Sequence, residues 1–377
     1  MPPSVMTSLP LAGPRPPLGQ PRSAAPVRGL TALSETDLAL VEALQVQPRA
    51  SWSRIAAVIG IDATTAARRW QRLTGTGLAW MTAYPAPHTS VIGYVDLACR
   101  ADAVDALTRR VCAWGPVFSV ERTTGEHPLF LGVAARDLPA LDDFVTRALG
   151  GLDGVRSARL SIGTRIHREG SGWLVHSLNE RQRSHLTGEA RPGRPGTPSG
   201  PYEADRRLLL ALGADARRSC AELARECGLS ETTVRRRLRR MTTHREVYFR
   251  CDLSQQLAGW PVIATYRLQV PRDTVDTAAR ALAALPETRL CSSVTGESNL
   301  LLSVWLRSPA DCPALEERMV QRCPGLRITE HTITLHTAKR MGRLLDRWGR
   351  AVGHVRMTAA PDGCDTQVDR GTGTGRP

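Results

Sequence analysis

From Leu33 to Leu73 the apolar positions keep helical spacing. Ser34 predicts the cap of a first helix carrying Leu38, Val41 and Leu44. Ser51 opens a second with Ile55, Ala56 and Ile59 inward, and Asp62 caps a third over residues 63–73. Gly60-Ile61 supplies a turn between the second and third, which is the build of a helix-turn-helix. In the third helix Ala66, Trp70 and Leu73 share a face. Arg68, Gln71 and Arg72 lie opposite, with Thr64 near the start.

The period then changes. Residues 91–98, 117–124, 129–134 and 155–162 read as strands, and 102–113 and 138–149 as helices. The order β-α-β-β-α-β predicts a ferredoxin-like sheet with helices on one face. A Pro/Gly-rich run, Arg191 to Gly200, reads as a flexible linker, and Gly172-Trp173-Leu174-Val175 before it is placed on the first sheet domain.

The whole pattern repeats. Asp205 follows Asp37 by 168 positions, and Ser219, Gly228 and Thr232-Thr233 follow Ser51, Gly60 and Thr64-Thr65 at the same offset. Arg236, Arg237 and Arg240 fall on Arg68, Arg69 and Arg72. At offset 171, Val262-Ile263 falls on Val91-Ile92 and Thr295-Gly296-Glu297 on Thr124-Gly125-Glu126. The second sheet domain reads as strands 262–270, 289–295, 300–306 and 326–335, with helices 274–285 and 310–322. A short basic helix is expected near 338–352.

The strongest single stretch is residues 230–241, SETTVRRRLRRM. Ser230 caps it, and Val234, Leu238 and Met241 share its inner face. Arg235, Arg236, Arg239 and Arg240 lie opposite, with Arg237 at the flank and Thr232 near the N-terminus. One Arg-rich helix is often only a solvated face. Two gapless copies with their Arg positions in register point instead to a shared task, reading double-stranded DNA from the major groove. Residues 247–252, with Tyr248 and Phe249, read either as a wing beside DNA or as a strand joining two domains.

Composition sharpens this picture. The net charge is +14 over 377 residues, and Lys339 is the single lysine. Such a charge favours polyanions, nucleic acid first. Nine scattered cysteines form no C-x-x-C or zinc-type spacing, so core thiols in a reducing cytoplasm are expected, with no metal. The N-terminus lacks the apolar core of a signal peptide, and no run of eighteen apolar residues predicts a membrane span. No G-x-S-x-G, H-E-x-x-H or P-loop occurs. No catalytic residue or cofactor is expected, and His167, His176 and His185 read as linker or surface histidines.

These residues carry a resemblance. Glu203-x-Asp205, Leu223-Ala224, Gly228-Leu229-Ser230, Thr233-Val234-x-x-Arg237-Leu238 and Val294-Thr295-Gly296, with Leu33–Asp37 and Thr124-Gly125 in the first half, resemble the Lrp/AsnC family of transcription regulators. The match spans about residues 31–340. It implies an α+β chain with two winged or plain helix-turn-helix domains and two ferredoxin-like βαββαβ domains in tandem. It also implies pairing through the sheets, as an intramolecular pseudo-dimer or a homo-oligomer, and a small effector, commonly an amino acid, held between them. On the resemblance alone, Gly125, Glu126, Gly296, Glu297 and Asn299 are the effector-pocket candidates. The family often has an acidic residue where this chain has Asn299 and Pro128, which weighs against the usual amino-acid mode.

The expected division is a disordered tail to residue 30, helix-turn-helix domains at 31–84 and 201–254, and sheet domains at 88–178 and 258–340. A linker is expected at 179–200, and a basic helix with a disordered tail at 341–377. The alternative is an enzyme: sirohaem decarboxylases resemble the same family and hold a tetrapyrrole at the sheet interface with His and Arg. Opposed Arg rows on both copies favour the regulator.

Overall fold

The structure, a computed structural model, describes residues 33–187 and 203–359. The expected tail to residue 30, the Pro/Gly-rich run of the linker and nearly all of the polar tail lie outside those residues.

Each half opens with three helices: α1 (Glu35–Val46), α2 (Trp52–Ile59) and α3 (Ala63–Gly75) in the first, α7 (Glu203–Ala214), α8 (Cys220–Cys227) and α9 (Glu231–Thr243) in the second. Their starts are fixed by side-chain caps from Ser34, Ser51, Asp62, Ser219 and Ser230. Gly60 and Gly228 end α2 and α8 in the left-handed region, at φ +75° and +64°, where a Cβ is disfavoured. The inward faces bury Leu40, Leu44, Ile55 and Leu73 in one half, and Leu208, Leu212, Leu223 and Val234 in the other, within a single shared core.

A strand follows each unit, β1 (Ala79–Pro85) and β6 (Val247–Leu253). The two pair antiparallel, with Thr82 opposite Arg250 at the centre. Residues 247–252 are therefore half of a ribbon joining the two helix-turn-helix units, not a wing beside DNA. α7 packs on β1 and α1 on β6, so each unit leans on the other half's strand.

The sheet domains follow as β2 (Val91–Cys99), α4 (Val104–Cys112), β3 (Val117–Thr123), β4 (Leu129–Ala135), α5 (Leu138–Asp143) running into a wide turn to Leu149, and β5 (Val155–Arg168). The second copy is β7 (Val262–Gln269), α10 (Val275–Ala283), β8 (Thr288–Val294), β9 (Leu300–Leu306), α11 (Cys312–Arg322) and β10 (Arg327–Arg340). This is the α+β, βαββαβ order expected, twice. β5 and β10 run several residues longer than expected. Beyond Ile162 β5 crosses to pair with β8, and beyond Ile333 β10 crosses to pair with β3. Because β10 also pairs with β7, the two four-stranded sheets close into one continuous ladder. Separate cores under the helices of each sheet hold Val95, Leu129 and Leu131, and Leu268, Leu300 and Leu315.

Three expectations fail. The basic helix near 338–352 is absent. Residues 338–340 end β10, and Met341 and Gly342 take φ +44° and +77° to turn the chain into β11 (Arg343–Leu345). Gly349, at φ +73°, then turns it into β12 (Ala351–His354). The expected linker begins with a helix, α6 (Glu180–Thr187), held to α1 by Arg183 Nε on Glu42 at 2.7 Å. Trp173 does not pack on its own sheet domain. Its Nε1 donates to the Pro286 carbonyl at 3.0 Å, and its ring meets Trp260 and Trp305 edge-on.

Candidate nucleic-acid interface and the space between the sheets

The recognition helices are built alike. In α9, Val234, Leu238 and Met241 are buried; in α3, Ala66, Trp70 and Leu73. Thr232, Arg235, Arg236 and Arg239 stand exposed on α9, as do Thr64, Arg68 and Gln71 on α3. Arg235 shares its charge with Glu231 one turn earlier, at 2.7 Å.

Arg240 and Arg72, expected on the open face, are turned inward. Arg240 reaches Asp205 of α7 at 2.6 Å and Glu246 at 3.1 Å, and Arg237 reaches Asp205 at 2.9 Å. Arg72 and Arg69 hold Asp37 of α1 at 2.7 and 3.1 Å. Both aspartates are almost fully buried. A buried carboxylate is costly unless charged donors satisfy it, so these arginines clamp the third helix to the first. Burial pushes the Asp37 carboxyl up, but the Ser34 hydrogen bonds and Arg72 outweigh it and leave it below the usual range. The internal repeat kept the two Arg and the Asp together at one offset, which marks a packing motif as readily as a DNA face.

A second reciprocal contact was not anticipated. Arg49 donates to the carbonyls of Ala216 and Arg218 at 2.6 and 3.1 Å, and Arg217 to those of Pro48 and Ala50 at 2.9 and 3.1 Å. Arg217 also lies over the Trp52 ring at 3.9 Å. Burial first, then neighbouring Arg49, pushes its guanidinium down to about 10. Arg49 and Arg217 stand 168 apart, so the repeat already held this signal.

The proposed effector turns have another role. Thr124 N donates to the Ile333 carbonyl at 2.9 Å and Ile333 N to Thr124 Oγ1 at 3.0 Å. In mirror fashion Thr295 N donates to the Ile162 carbonyl at 3.0 Å and Ile162 N to Thr295 Oγ1 at 2.9 Å. Each Thr-Gly turn thus docks on the last strand of the opposite half. Gly125 and Gly296 sit at φ +92° and +118°, which accounts for both glycines. Glu126 and Glu297 are exposed beside them. Asn299 accepts from Val270 N at 3.0 Å and donates to Val270 O at 2.8 Å, pinning a strand end. None of these five residues lines either of the two cavities described for the sheet region.

One of those cavities, about 250 Å³, lies between the two sheets and the ribbon. Its walls are mostly apolar and aromatic, including Tyr94, Phe118 and Phe130, and Arg250, Arg289 and Arg340 also face it. Arg250 and Arg289 share the buried Asp252, Arg250 Nε at 2.6 Å from Oδ2 and Arg289 Nη2 at 2.7 Å from Oδ1. Burial opposes the Asp252 charge, but Arg250, Arg289 and Arg340 hold its carboxyl below the usual range. Burial, with Arg250 beside it, pushes Arg289 down to about 9, which leaves it protonated at neutral pH. Burial raises the Glu121 carboxyl against the pull of Thr334 and Arg340.

Two paired helix-turn-helix units on a closed sandwich of two ferredoxin-like sheets define a DNA-binding regulator with a ligand-binding scaffold. Residues 33–74 and 203–242 match the AsnC-type helix-turn-helix domain, and residues 93–172 and 263–344 match the Lrp/AsnC ligand binding domain. Together these stretches cover well over half of the chain, and the chain belongs to the Lrp/AsnC family of transcription regulators.

Relatives match one half at a time. An uncharacterized HTH-type transcriptional regulator of Pyrococcus furiosus is 29% identical over 141 residues, 37% of this chain and 95% of the relative. The HTH-type transcriptional regulator Ptr1 of Methanocaldococcus jannaschii is 32% identical over 94 residues, 25% of this chain and 64% of the relative. Among solved structures, the siroheme decarboxylase NirDL aligns with a TM-score of 0.55 at 13% identity, over 82% of this chain and 93% of its own. That likeness is one of fold. No helix among the described residues is long and apolar enough to cross a membrane.

Proposed function

We propose that this regulator reads one operator with two unequal heads carried on a single chain. The observation that carries the reading is the reciprocal tie between the helix-turn-helix units, through Arg49, Arg217 and the β1–β6 ribbon. Two heads fixed to each other set a half-site spacing, as a symmetric dimer would. Thr232, Arg235, Arg236 and Arg239 form the stronger head, and Thr64, Arg68 and Gln71 the weaker. A small metabolite between the sheet domains shifts the placing of the heads and so the DNA affinity. An amino acid is the effector class the family suggests. The setting is a reducing cytoplasm, in which the eight described cysteines stay free thiols.

The test is genome-wide mapping of bound DNA followed by binding to the recovered site with each half scrambled in turn. Loss should be larger for the half facing α9. Equal affinity for unrelated duplexes would replace this reading with a non-specific DNA organiser. The decarboxylase reading draws on the shared fold with NirDL. Against it, no histidine lines the 250 Å³ cavity among the described residues; His167 lines the adjoining cavity of about 700 Å³ instead. Tetrapyrrole binding without DNA binding would reinstate it.

A further inference from the structure

The cavity between the sheets is lined by both halves of the chain. Its lining contains both members of several pairs separated by 171 positions, and the members differ in kind. Phe118 corresponds to Arg289, Gly132 to Ser303, Ala134 to Trp305 and Glu169 to Arg340. The first half supplies small residues, which leave the space open, an aromatic wall, and two carboxylates, Glu121 and Glu169. A Cβ on Gly132 would strike the Phe118 ring at 2.4 Å, so glycine there lets the ring lie flat on the strand. The second half supplies a bulky, cationic end. Arg289 lies over the Trp305 ring at 3.9 Å, with Arg340 over the same ring at 5.0 Å.

Arg289 is 5% exposed. Its Nη2 is used by Asp252, but Nη1 has no hydrogen-bond partner among the described residues. A buried guanidinium N–H left unpaired costs free energy that an acceptor would recover. The cavity therefore has Arg289 at one end, with this unused donor just beneath its surface, and apolar surface at the other. A carboxylate is the acceptor that matches a guanidinium edge.

We infer that this cavity binds one small amphipathic monocarboxylate per chain, its acid on Arg289 beside Arg340 and its apolar body against Phe118, Tyr94 and Phe130. A symmetric dimer would offer such a ligand two equivalent orientations on its axis. Here the broken symmetry leaves one. The site also reaches the DNA-binding part. Tyr84 and Pro85 of β1 and Arg250 of β6 line it, and those strands lead directly from α3 and α9. The ligand thus touches both arms of the ribbon that carries the heads. This deepens the metabolite-responsive reading above and rests on it only for the effect on DNA.

The test is isothermal titration of the full chain with a graded series of acids, butyrate to decanoate and 3-phenylpropionate, each beside its amide. One acid per chain should bind, and its amide at least tenfold more weakly. The Arg289→Gln variant, checked for folding by its thermal transition, should lose at least tenfold in acid affinity and keep the amide affinity. No acid in the series binding, or acid and amide binding alike, overturns the site. The acid–amide comparison stands on the wild-type chain should the variant not fold. Acid binding that depends on Arg289 but leaves operator affinity unchanged keeps the site and overturns the regulatory reading instead.

Discussion

Between the two halves, backbone contacts are symmetric while several side-chain pairs at the same positions are not. The Thr124–Ile333 and Thr295–Ile162 contacts are copies of each other, as are those of Arg49 and Arg217. Along the sheets, however, Asp96 of β2 corresponds to Arg267 of β7, and Arg159 of β5 to Glu330 of β10, each 171 positions apart. These four meet as one network. Arg267 contacts Asp96 across the halves, Arg159 contacts Asp96 at 3.1 Å, and Arg159 also contacts Glu330. A symmetric homodimer would set like charges at corresponding places. Fusion into one chain allows the two copies to take opposite charges and pair. The backbone thus keeps the geometry of a dimer, and the side chains make its halves specific for each other.

The largest effect should come from breaking that network. Asp96 and Arg267 are nearly buried. Removing one partner of such a pair typically costs about 3–5 kcal/mol, and reversing its charge costs at least as much. Arg267→Asp should therefore lower unfolding free energy by that amount or prevent folding. Adding Asp96→Arg should restore only part of it, because Arg159 and Glu330 then each meet a like charge. Urea unfolding of the single and double variants checks this, and a single variant as stable as wild type would mean that the halves do not discriminate by charge.

The two roles of arginine within α9 separate next. Changing both Arg236 and Arg239 to Ala should weaken operator binding by about tenfold or more, ~1.4 kcal/mol. It should also lower the slope of log affinity against log salt by about 1 for each phosphate left without its arginine. Arg68→Ala in α3 should do the same more weakly. Arg240→Ala should cost about 1–3 kcal/mol of stability by exposing the need of Asp205 for donors, with little change in the salt slope of the folded protein. Fluorescence anisotropy across a salt series, beside thermal unfolding, reads both quantities. If Arg240→Ala moved the salt slope as much as the double change, the division of roles drawn from Asp205 would fall.

Local chemistry was legible in the sequence, and partner-dependent structure was not. The capping residues and Gly60 and Gly228 determine helix ends through contacts a few positions away, so the helices were readable. So was the βαββαβ order, because Val95, Leu97, Leu129 and Leu131 alternate within each strand. The ends of β5 and β10 were not. Gly163, Thr164, Arg165, His167 and Arg168 show no apolar alternation, and they are extended because β8 of the other half completes their hydrogen bonds. The supposed basic helix failed for a related reason. The spacing of Met341, Leu344 and Leu345 suits a helix, but Gly342 and Gly349 take turn conformations and the strands close on the sandwich. Arginine was the hardest residue to place. In a chain this basic the surface is the default expectation, yet Arg250, Arg289 and Arg340 are buried, and only the position of Asp252 explains the first two.

The smallest effect concerns a place where the halves make the same contact with different cations. Lys339 Nζ donates to the Trp114 carbonyl at 2.7 Å, and Arg168, 171 positions earlier, donates to that of Leu285 at 3.3 Å. Trp114 and Leu285 are themselves 171 apart. Burial pushes Lys339 down to about 8, against a usual value of about 10.4. The folded protein therefore releases this proton near pH 8, whereas the unfolded chain keeps it to about pH 10. Between those values the unfolded state binds more protons, so stability from this group rises with pH, by at most about 1.4 kcal/mol per unit. Below pH 8 the charged amine is a standing cost to the fold. Burial lowers Arg168 too, but from the much higher starting value of a guanidinium. Lys339→Arg makes the two contacts alike and removes the titration. Wild-type stability minus that of Lys339→Arg, from urea unfolding at pH 7, 8.5 and 10, should climb across the series. A difference that stays flat would mean that Lys339 keeps its proton in the fold as readily as in the unfolded chain, and that the two contacts differ in name only.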